Sequence, residues 1–218
     1  MKSYVDAHDM KINSEKCGLM LYNFSRKKFE PSLRYDGREL KVIEKTKLLG
    51  VQCSVDGKWT DHINYIAEKG RRRLYFLRRL KDLGASETTL KDLYILFVRS
   101  VLETSAPLWT GALLHNKKLS ATLSRVQNSA LRIIRPDLDS MSAATVLGIG
   151  PLEQHRLKIS IKCAKQMSED PRFSYLFPMN TNSIQLRNTK RFKEVSWRKT
   201  RLGYSAIPFF QKLLNAQS

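Results

Sequence analysis

Thirteen residues, 69–81, hold seven cationic side chains: Lys69, Arg71, Arg72, Arg73, Arg78, Arg79 and Lys81. Glu68 and Asp82 bracket the run. Arginine outnumbers lysine there, and a planar guanidinium fork matches phosphate oxygens two at a time. The chemistry this implies is electrostatic grip on a sugar–phosphate backbone. A solvated helix face, the ordinary fate of a charge run, is the bland alternative. A second basic stretch lies near the C-terminus, where Arg187, Lys190, Arg191, Lys193, Arg198, Lys199 and Arg201 are interleaved with Phe192, Trp197 and Tyr204. Cations interleaved with rings suit phosphates plus stacked, unpaired bases. A solubilising tail or a nuclear-import signal fits the same residues.

Candidates for covalent or metal chemistry are sparse. His8, His62, His115 and His155 are scattered, without zinc-ligand spacing. The Gly148-Ile149-Gly150 run precedes Pro151 and not a Lys-Ser/Thr pair, so it is no phosphate loop. The stretch SYVDAHD (3–9) looks like the YxDD turn of polymerases, but only Asp6 is in place and Ala7 stands where a second carboxylate belongs. One carboxylate cannot build a two-metal site. No metal site is expected.

The bulk numbers agree with a polyanion partner. The chain of 218 residues is 42% hydrophobic, enough for a core, and carries a formal charge of +19 with a pI near 10.0. Such charge favours nucleic acid, an anionic membrane surface or an acidic protein. No apolar run reaches the length of a membrane span, and the N-terminus has no apolar signal region. Cys17, Cys53 and Cys163 lie far apart, which fits a reducing, intracellular compartment, nucleus or cytoplasm.

The elements that must position these residues follow from pattern. The spacing predicts a mainly α fold: a small strand and hairpin region, a helical bundle, and a basic extended tail. Residues 1–58 read as strand-rich. GLMLY (18–22) is a candidate buried strand, Asp36-Gly37 centres a hairpin, and KLLGVQC (47–53) reads as one further strand. Residues 59–170 read as helical. Ile63, Ile66, Ala67, Gly70, Leu74 and Leu77 share a face, with Gly84 as the stop. Ser86 caps a helix carrying Leu90, Tyr94, Phe97 and Val101. Pro107 marks a break or a first turn, Asn116 caps a third helix, and Pro136 ends it. A short helix falls near 140–147, and Pro151 opens another reaching about Ser168. Residues 171–218 read as the tail, with AIPFFQKLLN (206–215) able to dock back as a short helix.

The order of these features resembles the end of the reverse transcriptases of non-LTR (LINE-like) retrotransposons. The carrying segments are MKINSEKCGLMLY (10–22), KTKLLGVQCSVDGKWTDHI (45–63), RRRLYFLRRLKDLG, LYILFVRSVLETSAPLWTG, LSRVQNSALRII, DPRFSYLFP and RKTRLGYSAIPFFQKLLN. They cover nearly the whole chain. The resemblance implies that Asn13 and Lys16 match motif D, whose lysine protonates leaving pyrophosphate in a complete enzyme. It implies that Leu48, Leu49, Gly50 and Val51 match the primer-grip hairpin, with Gly50 allowing close backbone approach. It makes the basic helix a thumb helix along a primer–template duplex.

Nucleic-acid contacts are then expected from Leu49, Gly50, Lys69, Arg71, Arg72, Arg78, Arg79, Lys190, Arg191, Trp197 and Arg198, about six to ten of them to phosphates. The partner implied is RNA, DNA or an RNA–DNA hybrid, with no membrane. The family's catalytic aspartates precede motif D, and this chain is expected to begin after them. It should need the missing upstream polymerase half, and Mg2+ with it, to polymerise; no cofactor is expected in this chain. A domesticated helical protein-interaction module, with its charge serving import or solubility, is the alternative.

Overall fold

The computed structural model describes residues 4, 7–22, 29–35, 37–180, 190–197 and 200–217. The fold is mainly α, with short strands confined to the N-terminal part and a helical bundle after them. The chain divides into two compact units, Met1–Asp61 and His62–Ser218.

The first unit is built from short pieces. A 3-10 turn, Ser14–Lys16, is capped by Asn13, whose side chain accepts from the Glu15 amide at 2.9 Å. Strand β1 (Gly18–Leu19) pairs in parallel with β4 (Lys41–Val42). GLMLY was expected to be a buried strand; among the described residues the strand covers its first two residues, and Tyr22 is exposed. Strands β2 (Arg34–Tyr35) and β3 (Arg38–Glu39) form the hairpin expected around Gly37, which has φ +73°; Asp36 lies outside the described residues.

The run KLLGVQC is not one strand. It folds back on itself as β5 (Lys45–Leu48) and β6 (Val51–Ser54), with Leu48 opposite Val51. Leu49 and Gly50 form the two-residue turn with φ +48° and +88°, the left-handed pair that suits the twist of a tight hairpin. Asp56 then accepts from the Ser54 hydroxyl at 2.5 Å and the Lys58 amide at 2.9 Å. Those two donors hold its carboxyl down to about 2.

The second unit is the bundle. Helix α1 (Thr60–Asp82) buries Ile63, Ile66, Ala67, Gly70, Leu74 and Leu77, the predicted face. It stops where Gly84 takes φ +82° and the Ala85 amide reaches back to the Leu80 carbonyl, the standard glycine stop. Ser86 caps α2 (Glu87–Leu93), its hydroxyl accepting from the Thr89 amide at 3.2 Å. The helix widens into a π-helical segment, Tyr94–Arg99, before α3 (Ser100–Leu102). Pro107 is a first-turn proline of α4 (Ala106–Leu114), entered through Ser105 at φ +54°. Asn116 caps α5 (Lys117–Ile134), which buries Leu123, Val126, Ala130 and Leu131. Helix α6 (Ser140–Val146) is capped by Asp139, and α7 (Leu152–Glu169) follows Pro151.

Several polar groups inside the bundle are paired. Tyr94 donates to Gln127 at 2.8 Å, and the buried Trp109 indole donates to the Thr104 carbonyl at 3.0 Å. Glu103 accepts from Arg99 at 3.1 Å and lies 2.8 Å from His155 Nδ1. Arg156 is 1% exposed, its guanidinium 5.5 Å from the Trp109 ring.

The C-terminal region, expected as an extended basic tail, contributes to this unit's core. After a 3-10 segment, Pro171–Leu176, the chain supplies Phe177 and Phe192 to a cluster with Phe209, Phe210 and Leu214. Helices α8 (Thr200–Gly203) and α9 (Ala206–Asn215) end the chain, α9 docking as its apolar sequence predicts. Two amides fasten it. Asn215 exchanges hydrogen bonds with the Phe192 backbone at 2.8 and 3.0 Å, and Gln211 bridges Leu176 and Val195. Residues 190–197 run without helix or ladder, apart from one bridge between Met179 and Phe192.

Candidate nucleic-acid interface

The seven cations of the 69–81 run do not all point one way. Arg73 lies on the flank of the buried stripe. It donates to the Phe97 carbonyl and sits 4.1 Å over the Phe97 ring. Lys81 donates to the Ile133 and Ile134 carbonyls at the end of α5, a cation placed where a helix leaves its last carbonyls unpaired. Both are tethers within the bundle.

The other five, Lys69, Arg71, Arg72, Arg78 and Arg79, are exposed on the outer face. Glu68 accepts from Arg71 at 2.6 Å and Arg72 at 3.3 Å, and these two partners, Arg71 first, hold its carboxyl below the usual range. Three charges there leave a net of one. Lys69, Arg78 and Arg79 pair with no carboxylate among the described residues. The outer face is therefore a cationic surface with a single acid in it over residues 68–79.

Position on the helix explains this division. At 100° per residue, Arg73 and Lys81 fall within about 60° of Gly70, the centre of the buried stripe, while Arg72 and Arg79 fall on the opposite side. The same arithmetic puts Tyr75 and Phe76 outside, and they are exposed there. They went unremarked among the arginines of the sequence, although their offset from the Leu74–Leu77 stripe marks them as outward-facing.

The remaining expected contacts are distributed as follows. Lys16 closes the exposed 3-10 turn, its amide donating to the Asn13 carbonyl at 3.1 Å. Leu49 is 94% exposed at the tip of the β5–β6 hairpin. Gly50 takes φ +88°, and a Cβ built there meets nothing of this chain within 4 Å, so the need the fold itself shows is the positive φ. Lys190 pairs with Glu194 at 3.1 Å, and the Arg191 guanidinium lies 4.9 Å over Phe192.

The rings expected to stack on bases each meet a partner within the chain, Phe192 buried and Trp197 and Tyr204 half-buried. Phe192 is buried, Trp197 carries Lys212 Nζ at 3.8 Å, and Tyr204 stacks on His115 at 3.4 Å. Arg198 lies outside the described residues, as do Arg187, Lys199 and Asp6 of the SYVDAHD stretch.

Among the described residues no helix is long and apolar enough to cross a membrane. Comparison with protein-family models, with curated proteins and with solved structures finds no match for this chain.

Proposed function

We propose that this chain binds nucleic acid through the outer face of α1, and that it corresponds to the motif D and E end, thumb and C-terminal part of a non-LTR retrotransposon reverse transcriptase. The observation that carries the binding is the cationic row of α1, where Lys69, Arg78 and Arg79 are exposed and lack a carboxylate partner among the described residues. A rigid helix of 23 residues holds that row in fixed register, so the protein loses little conformational freedom when phosphates replace water and counterions. The family assignment rests on the ordered motifs alone. It gives these residues the grip on a primer–template or RNA and assigns them no nucleotide addition.

Fluorescence anisotropy of the purified chain with a labelled RNA–DNA hybrid, repeated from 50 to 200 mM salt, tests the reading. Binding that weakens steeply with salt supports it. Substituting Arg72→Glu, Arg78→Glu and Arg79→Glu together should abolish binding and leave the circular dichroism spectrum and melting unchanged. An intact triple variant that binds the hybrid as the parent does would overturn it, and would favour the protein-interaction alternative.

A further inference from the structure

We infer that Tyr75 and Phe76 form a stacking platform for unpaired bases, so that the α1 face prefers a single-stranded segment or a junction to a uniform duplex. The inference rests on the proposed nucleic-acid reading and specifies its ligand. The two rings are 57% and 53% exposed, an unusual state for adjacent aromatic residues in the middle of a 23-residue helix. Their centroids lie 5.6 Å apart, edge to face at 77°. Phe76 is braced from behind by Phe97, 5.7 Å away at 83°. Phe97 in turn lies under the Arg73 guanidinium, whose hydrogen bond to the Phe97 carbonyl fixes both. The platform is thus held by the bundle and does not wait for a ligand to order it.

Charge says what covers it. Arg71 precedes Tyr75 by four positions and Arg78 follows it by three; Arg72 and Arg79 stand in the same relation to Phe76. Positions three and four apart lie on one face of a helix, so each ring has a guanidinium about one turn, roughly 5 Å of rise, on either side. Among the described residues Glu68 is the one acid paired with any of those four. An apolar protein partner would have to desolvate a guanidinium at every turn. A nucleic-acid strand brings a phosphate for each guanidinium and a π-face for each ring. In a duplex the base faces are already stacked, and opening a step costs energy; unpaired bases are free to use the rings. Stacking on an aromatic side chain is sequence-tolerant because every base offers a π-face.

The test uses the full chain and three labelled probes of one sequence: a blunt RNA–DNA hybrid, the same hybrid with a ten-nucleotide overhang, and the free strand. The parent protein should prefer the overhang probe to the blunt one by about 5- to 150-fold per stacked base. Y75A/F76A should erase that preference and leave blunt-hybrid affinity within about twofold, with unchanged thermal melting. Y75L/F76L, which keeps apolar area without a π-face, should behave like the alanine pair, whereas Tyr75→Trp should keep the preference.

Equal losses on all three probes in Y75A/F76A, a surviving overhang preference, or full activity of the leucine pair would each overturn the platform. If the parent binds none of the probes, the nucleic-acid reading itself falls. If it binds the blunt hybrid with a salt dependence lost in R78E/R79E yet shows no overhang preference, that reading stands and the platform alone is refuted.

Discussion

The salt dependence of binding can be worked from which cations of α1 are free. Lys69, Arg78 and Arg79 have no carboxylate partner among the described residues, and Arg71 with Arg72 share Glu68, so the face offers about four effective phosphate contacts. Log affinity on duplex nucleic acid falls with log salt at about 0.9 per contact, so α1 contributes a slope near −3.6 and a loss of about 150-fold between 50 and 200 mM. Arg78→Ala with Arg79→Ala removes two contacts and should flatten the measured slope by about 1.8.

Arg73→Met is the control, because Arg73 is spent on the Phe97 carbonyl and ring. It should leave the slope within about 0.5 while costing about 1.5–3 kcal/mol of stability from a lost charged hydrogen bond. Anisotropy titrations at four salt concentrations, with urea unfolding of each variant, measure both quantities. If Arg73→Met flattens the slope as much as a single outer arginine does, the division into inward tethers and outward contacts is wrong.

Further expectations concern the framework that holds this face. Glu103→Ala should cost about 3–5 kcal/mol in urea unfolding, because it strands the buried Arg99 guanidinium and removes the His155 partner; a loss under about 1 kcal/mol would contradict the buried pairing. Gly111→Ala should destabilise by about 1–3 kcal/mol through overpacking, since the added Cβ would lie 2.8 Å from the Tyr204 carbonyl oxygen and 2.8 Å from Phe209 Cγ. Increased protease cleavage ahead of α9 should accompany that loss, and a more stable variant would refute the contact.

Burial holds His62 below the usual histidine range, against a hydrogen bond to the Thr104 backbone that raises it. The unfolded chain therefore takes up the proton first as pH falls below about 6.5, and stability should decline from there toward the folded value, by at most about 1.4 kcal/mol per pH unit. His62→Gln should flatten that decline in denaturation curves at pH 7.5 and 5.5; an unchanged slope would show that other groups cause it.

Much of the fold was readable from periodicity and punctuation. The α1 stripe, the Gly84 stop and the Ser86 and Asn116 caps are local devices, each determined by a few neighbouring residues whose side-chain size, φ preference or hydrogen-bonding capacity leaves little choice. The basic character of α1 is likewise a property of composition. Pattern alone reads KLLGVQC as one strand, because an apolar stretch of that length hides a turn at Leu49, a residue type that rarely takes a positive φ; the hairpin at Leu48–Val51, where β5 and β6 turn, was implied only by the resemblance.

Tertiary structure alone decided how each charge and ring is employed. Helix position puts Arg73 beside the buried stripe and Arg72 opposite it, but it does not give the partner each side chain meets; that depends on whether a carbonyl, a helix end or another ring from a distant segment arrives beside it. Those partners lie 24 residues away for Arg73 and 52 for Lys81, and Phe192 is claimed by a cluster assembled from both sides of the C-terminal region. Chain composition determined the charge of +19. The packing of remote segments determined that one face of one helix, with two rings between two pairs of arginines, was left exposed.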